Sequence, residues 1–212
     1  MCVNFTPTTN KEWLHACFGT DLPDDAPAET YPGLQAPILV RSRRTGRIAC
    51  GLARFGLVPA WAKDITISRH TYNARSETVA QKPSYRTAWA QGQFGLVPVD
   101  YFYEPNYESG KAVRWKIAVS SNAPFAIACL WEQWRDPATQ TPLASFTMLT
   151  VNADHHPVMQ RFHKTGDEKR MPVIVPAELY HTWLEADHAT ARTVIEAALN
   201  PNVQAEPAPR TG

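Results

Sequence analysis

Phe94-Gly95-Leu96-Val97-Pro98-Val99-Asp100-Tyr101-Phe102-Tyr103-Glu104 is the stretch that decides how the chain folds. Phe94–Val99 carries no charge and has the length of a strand, so it reads as a buried strand leading straight into Asp100–Glu104. Such a strand needs paired neighbours, and the flanking sequence supplies them. Upstream, Ala36–Arg41 and Arg47–Phe55 form a predicted hairpin around the turn Arg44-Thr45-Gly46. Downstream, Val113–Ser120 and Phe125–Trp134 alternate or run apolar between turns at Ser121–Pro124 and Asp136-Pro137, and Ala144–Val151 and Met171–Val175 are further strands. Roughly eight strands with only short helices predict an α+β fold: a single domain with a curled, mostly antiparallel sheet or barrel-like core and short flanking helices.

The helical segments are brief. Thr9-Asn10-Lys11-Glu12 reads as a capping box opening a helix that Gly19 stops after Phe18. Pro83–Gln91, Glu178–Trp183 and Ala189–Leu199 are predicted helices, and Pro157–Phe162 one or two helical turns. Residues 20–36 form a surface loop, and Asn73–Glu77 a connecting stretch. Leu57–Ala62 is apolar but broken by Pro59, which suggests a loop packed on the core with Trp61 at its tip. The predicted domain spans residues 1–200. From Pro201 the chain is Pro-rich and poor in apolar residues, so 201–212 is predicted to be a flexible tail.

The 212 residues are 44% hydrophobic and include seven Trp, enough for a well-filled core. No apolar run approaches the roughly 20 residues that cross a bilayer, and no basic-then-apolar leader is visible. Cys2, Cys17, Cys50 and Cys129 lie far apart without metal spacing, so reduced thiols, no metal, no cofactor and a cytoplasmic location are expected. The net charge of +1 implies no partner, but its distribution is uneven. Between Arg41 and Arg86 ten basic side chains face only Asp64 and Glu77, a local net charge of +8. A phosphate-backbone binder shows this asymmetry, and so does a solvated hairpin face.

Four places carry potential chemistry. Removal of Met1 would leave Cys2 with a free α-amine (pKa about 7.7–8.0) beside a thiol (about 8.5), two nucleophiles for one carbon. The amine can condense with an aldehyde to an imine that the thiolate closes to a thiazolidine, or the thiol can attack an amide with the amine as base. The alternative is an arbitrary start-site residue. Asn73-Ala74-Arg75-Ser76-Glu77 combines an amide with a guanidinium fork suited to phosphate, or is a solvated turn. Glu104, among Tyr101, Phe102 and Tyr103, is either partly desolvated and raised toward useful proton transfer or a water-facing edge residue. His163, at the edge of the charged loop Lys164–Lys169, is a proton shuttle or a surface histidine. The neighbouring His155 and His156 point opposite ways on any regular element and make a poor metal pair.

In combination, Cys2, Phe55-Gly56-Leu57-Val58-Pro59-Ala60-Trp61-Ala62-Lys63, Asn73–Glu77, Tyr103-Glu104, His163 and Arg170-Met171-Pro172 resemble the SOS-response-associated peptidase (SRAP) domain family, in order, over residues 2–185. Its usual segments are W-G-L-I-P-x-W, N-A-R-x-E, G-F-Y-E-W and H-x-R-M-P. The resemblance implies a monomeric sensor that shields abasic sites in single-stranded DNA through a Cys2 thiazolidine, acting as a DNA–protein crosslinking protein or autopeptidase (hydrolase- or lyase-like), nucleoid-associated when bound. It casts Cys2 as nucleophile, Asn73 as holder of the sugar, Glu104 as proton carrier and His163 as promoter of ring opening. Arg75 and Arg170 would hold phosphates, Trp61 would pack on a base, and Arg54 and Lys82 would contact DNA. The chain departs from the family pattern at Val3-Asn4, where Gly-Arg is usual, at Phe55 for Trp, and at Tyr101 and Pro105 around Tyr103-Glu104. Six residues separate His163 from Arg170 where one is usual, with His156 as a weaker substitute. An N-terminal-nucleophile amidase or peptidase, and a non-catalytic single-strand-binding paralogue, are the competing readings.

Overall fold

The computed structural model describes residues 2–210. Its elements are β1 (Asn4–Pro7), α1 (Lys11–Phe18), β2 (Gln35–Arg41), β3 (Ile48–Phe55), β4 (Asn73–Arg75), α2 (Arg86–Ala90), β5 (Phe94–Asn106), β6 (Val113–Val119), β7 (Phe125–Arg135), β8 (Pro142–Asn152), β9 (Arg170–Pro172), β10 (Ile174–Val175), α3 (Tyr180–Leu184), α4 (His188–Ala197) and β11 (Val203–Pro207). Short 3-10 turns occur at Ile65–His70, Met159–Arg161 and Ala177–Leu179.

The strands follow the order β10-β7-β8-β3-β2-β5-β6-β11, and an additional β5–β7 pairing closes β5, β7, β8, β3 and β2 into a barrel. All pairings are antiparallel except β3–β8 and β4–β8. The architecture is therefore the expected α+β, barrel-like single domain. The 13-residue β5 changes company along its length. Phe94–Val99 lies in the barrel beside β7, with Leu96 and Gly95 opposite Leu39 and Val40 of β2. Tyr101–Asn106 leaves the barrel and pairs with β1 on one side and β6 on the other. The register shifts between Thr6 and Pro7 of β1, and Thr8 N–H donates to the Pro98 carbonyl (3.1 Å). Pro7 and Pro98 cannot donate to a ladder, so the irregularity falls where the strand changes partners.

Phe5 of β1, Phe55 of β3, Phe102 of β5 and Phe146 of β8 are all fully buried and fill the space between these strands. Phe55 stacks on Phe146 at 5.1 Å and meets the edge of Phe5 at 5.4 Å. Gly56 then turns the chain with φ +118°, and a Cβ there would stand 2.2 Å from the Ser68 carbonyl oxygen. Only glycine permits that approach, which sets the Leu57–Ala62 loop against the core with Val58 buried and Trp61 57% exposed.

Several local expectations are corrected. The α1 cap is Asn10, whose Oδ1 accepts from Trp13 N–H (2.9 Å), one residue beyond Thr9. Asn73–Arg75 is a strand because β8 offers it a parallel partner, from Asn73↔Met148 to Arg75↔Thr150. Met171–Val175 is divided at Val173, where the chain crosses from β8 to β7: its N–H donates to Leu149 and its carbonyl accepts from Ala128. Within the predicted flexible tail, the chain forms a strand instead. Val203–Pro207 pairs with β6 from Val203↔Val119 to Pro207↔Trp115, and Ala208 N–H donates to the Arg114 carbonyl. Backbone pairing holds this edge strand although it turns only Val203 and Ala205 away from water. Among the described residues, no helix is long and apolar enough to cross a membrane.

Candidate active site

Pairing of β1 with β5, Asn4 opposite Tyr103, lays the start of the chain along the outer half of β5. Cys2 is fully buried there, with Sγ 3.8 Å from the Asn4 carbonyl. Burial, reinforced by the negative charge of Glu104, pushes the thiol well above its ordinary range, so it is held protonated at neutral pH. Met1, whose removal the sequence reading requires, lies outside the described residues.

Asn73 grips Cys2 from the other side. Its Nδ2 donates to the Cys2 carbonyl at 2.7 Å, while its own carbonyl accepts from the Tyr85 hydroxyl at 3.0 Å. The β4–β8 pairing fixes the backbone from which that amide projects. Asn73 Oδ1 is buried and has no hydrogen-bond partner among the described residues. An acceptor left in that state costs about 1–3 kcal/mol, so a ligand hydroxyl that fills it is favoured.

Glu104, on β5, is 1% exposed, and burial raises its carboxyl to about 7. His163 Nδ1 lies 3.6 Å from Glu104 Oε2, just beyond hydrogen-bond length. His163 Nε2 lies 3.0 Å from the Arg170 carbonyl. A carbonyl only accepts, so Nε2 carries the hydrogen and, in the neutral ring, Nδ1 presents its lone pair to Glu104. Burial pulls the imidazole down from its usual pKa. The two shifts together favour a protonated Glu104 facing a neutral His163, a pair across which one proton can move.

The six residues between His163 and Arg170 form an excursion tied together at its two ends. His163 adopts φ +66°, donates its N–H to the Pro105 carbonyl (3.1 Å), and is clasped by Lys169 Nζ on its carbonyl (3.2 Å). Lys169 N–H is held in turn by Asp154 (2.9 Å), which returns the loop to Arg170. His156 is a capping residue instead: its Nδ1 accepts from Val158 and Met159 N–H groups, and Nε2 faces the Pro201 carbonyl.

Cys2, Asn73, Glu104 and His163 thus meet, while the other singled-out residues stand elsewhere. Arg170 is not available to hold a phosphate. It is 3% exposed, forms a fork to Glu77 (2.8 and 2.8 Å), and also reaches Glu168 (2.8 Å) and the Thr150 carbonyl (2.7 Å). Arg75 is half-exposed and paired with Glu168 at 2.6 Å. Trp61 Nε1 donates to the Pro83 carbonyl (3.2 Å), next to exposed Lys82, and Arg54 Nε donates to Ser68 Oγ (3.1 Å). Sequence reasoning missed Arg114, whose Nη2 donates to Asn4 Oδ1 at 2.7 Å. Nothing in the spacing of an Arg on an ordinary strand marks it, and Asn4 registers only as a departure.

The barrel thus buries a cysteine beside an amide and a carboxyl–imidazole pair. The chain belongs to the SOS response associated peptidase (SRAP) family, whose sequence pattern matches residues 1–209. It is 30% identical over 190 residues to abasic site processing protein YoqW of Bacillus subtilis, covering 87% of this chain and 80% of that protein. It is 26% identical over 165 residues to abasic site processing protein HMCES of Gallus gallus, covering 68% of this chain and 47% of that one. A crystal structure of a Bordetella bronchiseptica protein superposes with a TM-score of 0.88 at 31% identity, covering 99% of this chain and 100% of the other.

Proposed function

We propose that this protein recognises abasic sites in single-stranded DNA and captures them covalently through Cys2. The convergence of Cys2, Asn73, Glu104 and His163 carries this reading, and the names of the relatives support it. Once Met1 is removed, the α-amine of Cys2 adds to the aldehyde carbon of the ring-opened sugar. One amine proton moves to the aldehyde oxygen on addition; protonated Glu104 gives that oxygen a second proton so that it leaves as water, and takes the remaining nitrogen proton back as the imine forms. The sulfur then bonds to the imine carbon and the thiol proton passes to the ring nitrogen, giving a thiazolidine plus one water. A thiol protonated in the resting state suits this order, since its proton is needed on nitrogen at closure.

His163 would accept the sugar hydroxyl proton during ring opening through Nδ1 and exchange it with Glu104. Asn73 Oδ1 would accept from a sugar hydroxyl. Arg75, Arg54 and Lys82 would line the strand's path, and Trp61 would stack on a neighbouring base, a contact worth about 1–3 kcal/mol with any base.

Incubation of processed protein with an abasic oligonucleotide should give a heat-stable adduct on a denaturing gel, absent with Cys2→Ala. An adduct that persists in Cys2→Ala, or none with wild type, overturns covalent capture. DNA affinity untouched by Cys2→Ala without any adduct would leave a binding module, and turnover of small amides without DNA binding an amidase.

A further inference from the structure

A groove of about 330 Å³ opens beside the buried cysteine, walled by Val3, Tyr31, Tyr103, Pro105, Arg114 and Arg210, with Glu104 also at its lining. Its walls are largely apolar, but one side carries a cationic cradle. Arg114 projects from β6, where it lies opposite Pro105. Its guanidinium carbon sits 3.2 Å over the Tyr103 ring, which fixes the plane of the fork. Its Nη2 donates both to Asn4 Oδ1 and to Glu29 Oε1. Tyr31 OH donates to the same carboxylate at 2.9 Å, and Arg210, carried in behind β11, stacks on the Tyr31 ring and donates to its hydroxyl.

Rest on the reading that the chain binds single-stranded DNA, and one role fits this cradle. We infer that it is a phosphodiester subsite flanking Cys2, occupied in the resting protein by Glu29, which the strand displaces. A carboxylate oxygen and a phosphodiester oxygen are both anionic acceptors for a guanidinium, so one cradle accepts either. Two guanidiniums against one carboxylate leave it positive. Glu29 belongs to the 20–34 loop, tied to the sheet through the Phe5↔Thr30 bridge. The side chains of Arg114 and Glu29 are 23% and 38% exposed, so the pair is partly solvated and weakly held. The aromatic and apolar walls around the cradle suit the sugar and base that accompany a phosphodiester and offer nothing to a free anion.

The test measures binding of an undamaged single-stranded oligonucleotide across a salt series for wild type, Glu29→Gln, Arg114→Ala and the double variant. Glu29→Gln should tighten binding several-fold, a gain that misfolding does not produce. Arg114→Ala should weaken binding and reduce the slope of log affinity against log salt by about 0.7, the share of one phosphate contact on a single strand. The gain from Glu29→Gln should vanish in the Arg114→Ala background. A gain that survives there is a general charge effect and overturns the inference, as does unchanged affinity in Glu29→Gln. Loss of the gain on adding millimolar inorganic phosphate at constant ionic strength would assign the cradle to a free anion and overturn the phosphodiester. Salt-dependent binding by wild type without the Glu29→Gln gain sinks this inference alone. No salt-dependent binding by wild type or Glu29→Gln sinks the DNA reading and this inference together.

Discussion

Glu104 carries the proton in the proposed capture, and its environment makes a prediction about pH. Its folded carboxyl is raised to about 7 by burial, above its unfolded value, so folding favours the protonated form. The stability this contributes is fully present below about pH 4.5 and is lost as pH rises through about 7. For an isolated group the loss would be on the order of 3 kcal/mol, and the downward shift of His163 works in the opposite sense. Glu104→Gln should therefore flatten the fall in melting temperature between pH 5 and pH 7.5; an unchanged profile would place the titration elsewhere. The same substitution should slow adduct formation by roughly 10²-fold, since Gln cannot supply the proton. Asn73→Ala frees the Cys2 carbonyl and should cost about 1 kcal/mol of stability, measured by urea denaturation, with a larger loss of adduct rate.

At the scale of elements, the β4–β8–β9 corner is where stability and site geometry are linked. Arg170 is buried in a network with three residues, Glu77, Glu168 and Thr150, whereas Arg75 shares Glu168 from a half-exposed position. Arg170→Ala should lower unfolding free energy by about 2 kcal/mol and Arg75→Ala by less than about 1, because only Arg170 is itself desolvated and hydrogen-bonded to the buried Thr150. Equal effects in urea titrations would contradict the burial argument. Long strands with uninterrupted or alternating apolar patterns, such as Phe125–Trp134, were legible because their own side chains specify them. β1 and β4 were not: they are four and three residues long and exist because a longer strand offers a ladder. β11 was hidden for the same reason. Its single well-buried side chain makes a test, and Val203→Asp should destabilise by about 2–3 kcal/mol. The residues of the site were legible as a set through their order along the chain. Their contacts were not, since Asn73 and Cys2 are 71 positions apart and Arg114 and Glu29 are 85. No periodicity announces a pairing at that range. Arg170 shows the limit from the other side, because an Arg in a plausible motif gives no sign that acids at 77 and 168 have already claimed it.

In the molecule as a whole, the barrel and the outer sheet share β5, so Glu104 is held in the ladder to β6, opposite Trp115, one residue beyond the β1 pair at Tyr103. His163 comes from outside any strand and is positioned by three contacts with a loop and a strand edge. The two halves of the proton-sharing pair therefore belong to regions of different local stability. Amide hydrogen exchange should show the β5 amides among the slowest in the chain and those of Lys164–Lys169 among the fastest. The consequence is one of timing. Brief local opening of that loop would withdraw the imidazole while the carboxyl stays fixed, which would divide the proposed capture machinery into a permanent half and an intermittent one and make the fraction of time the loop is closed a ceiling on the rate of that proposed capture.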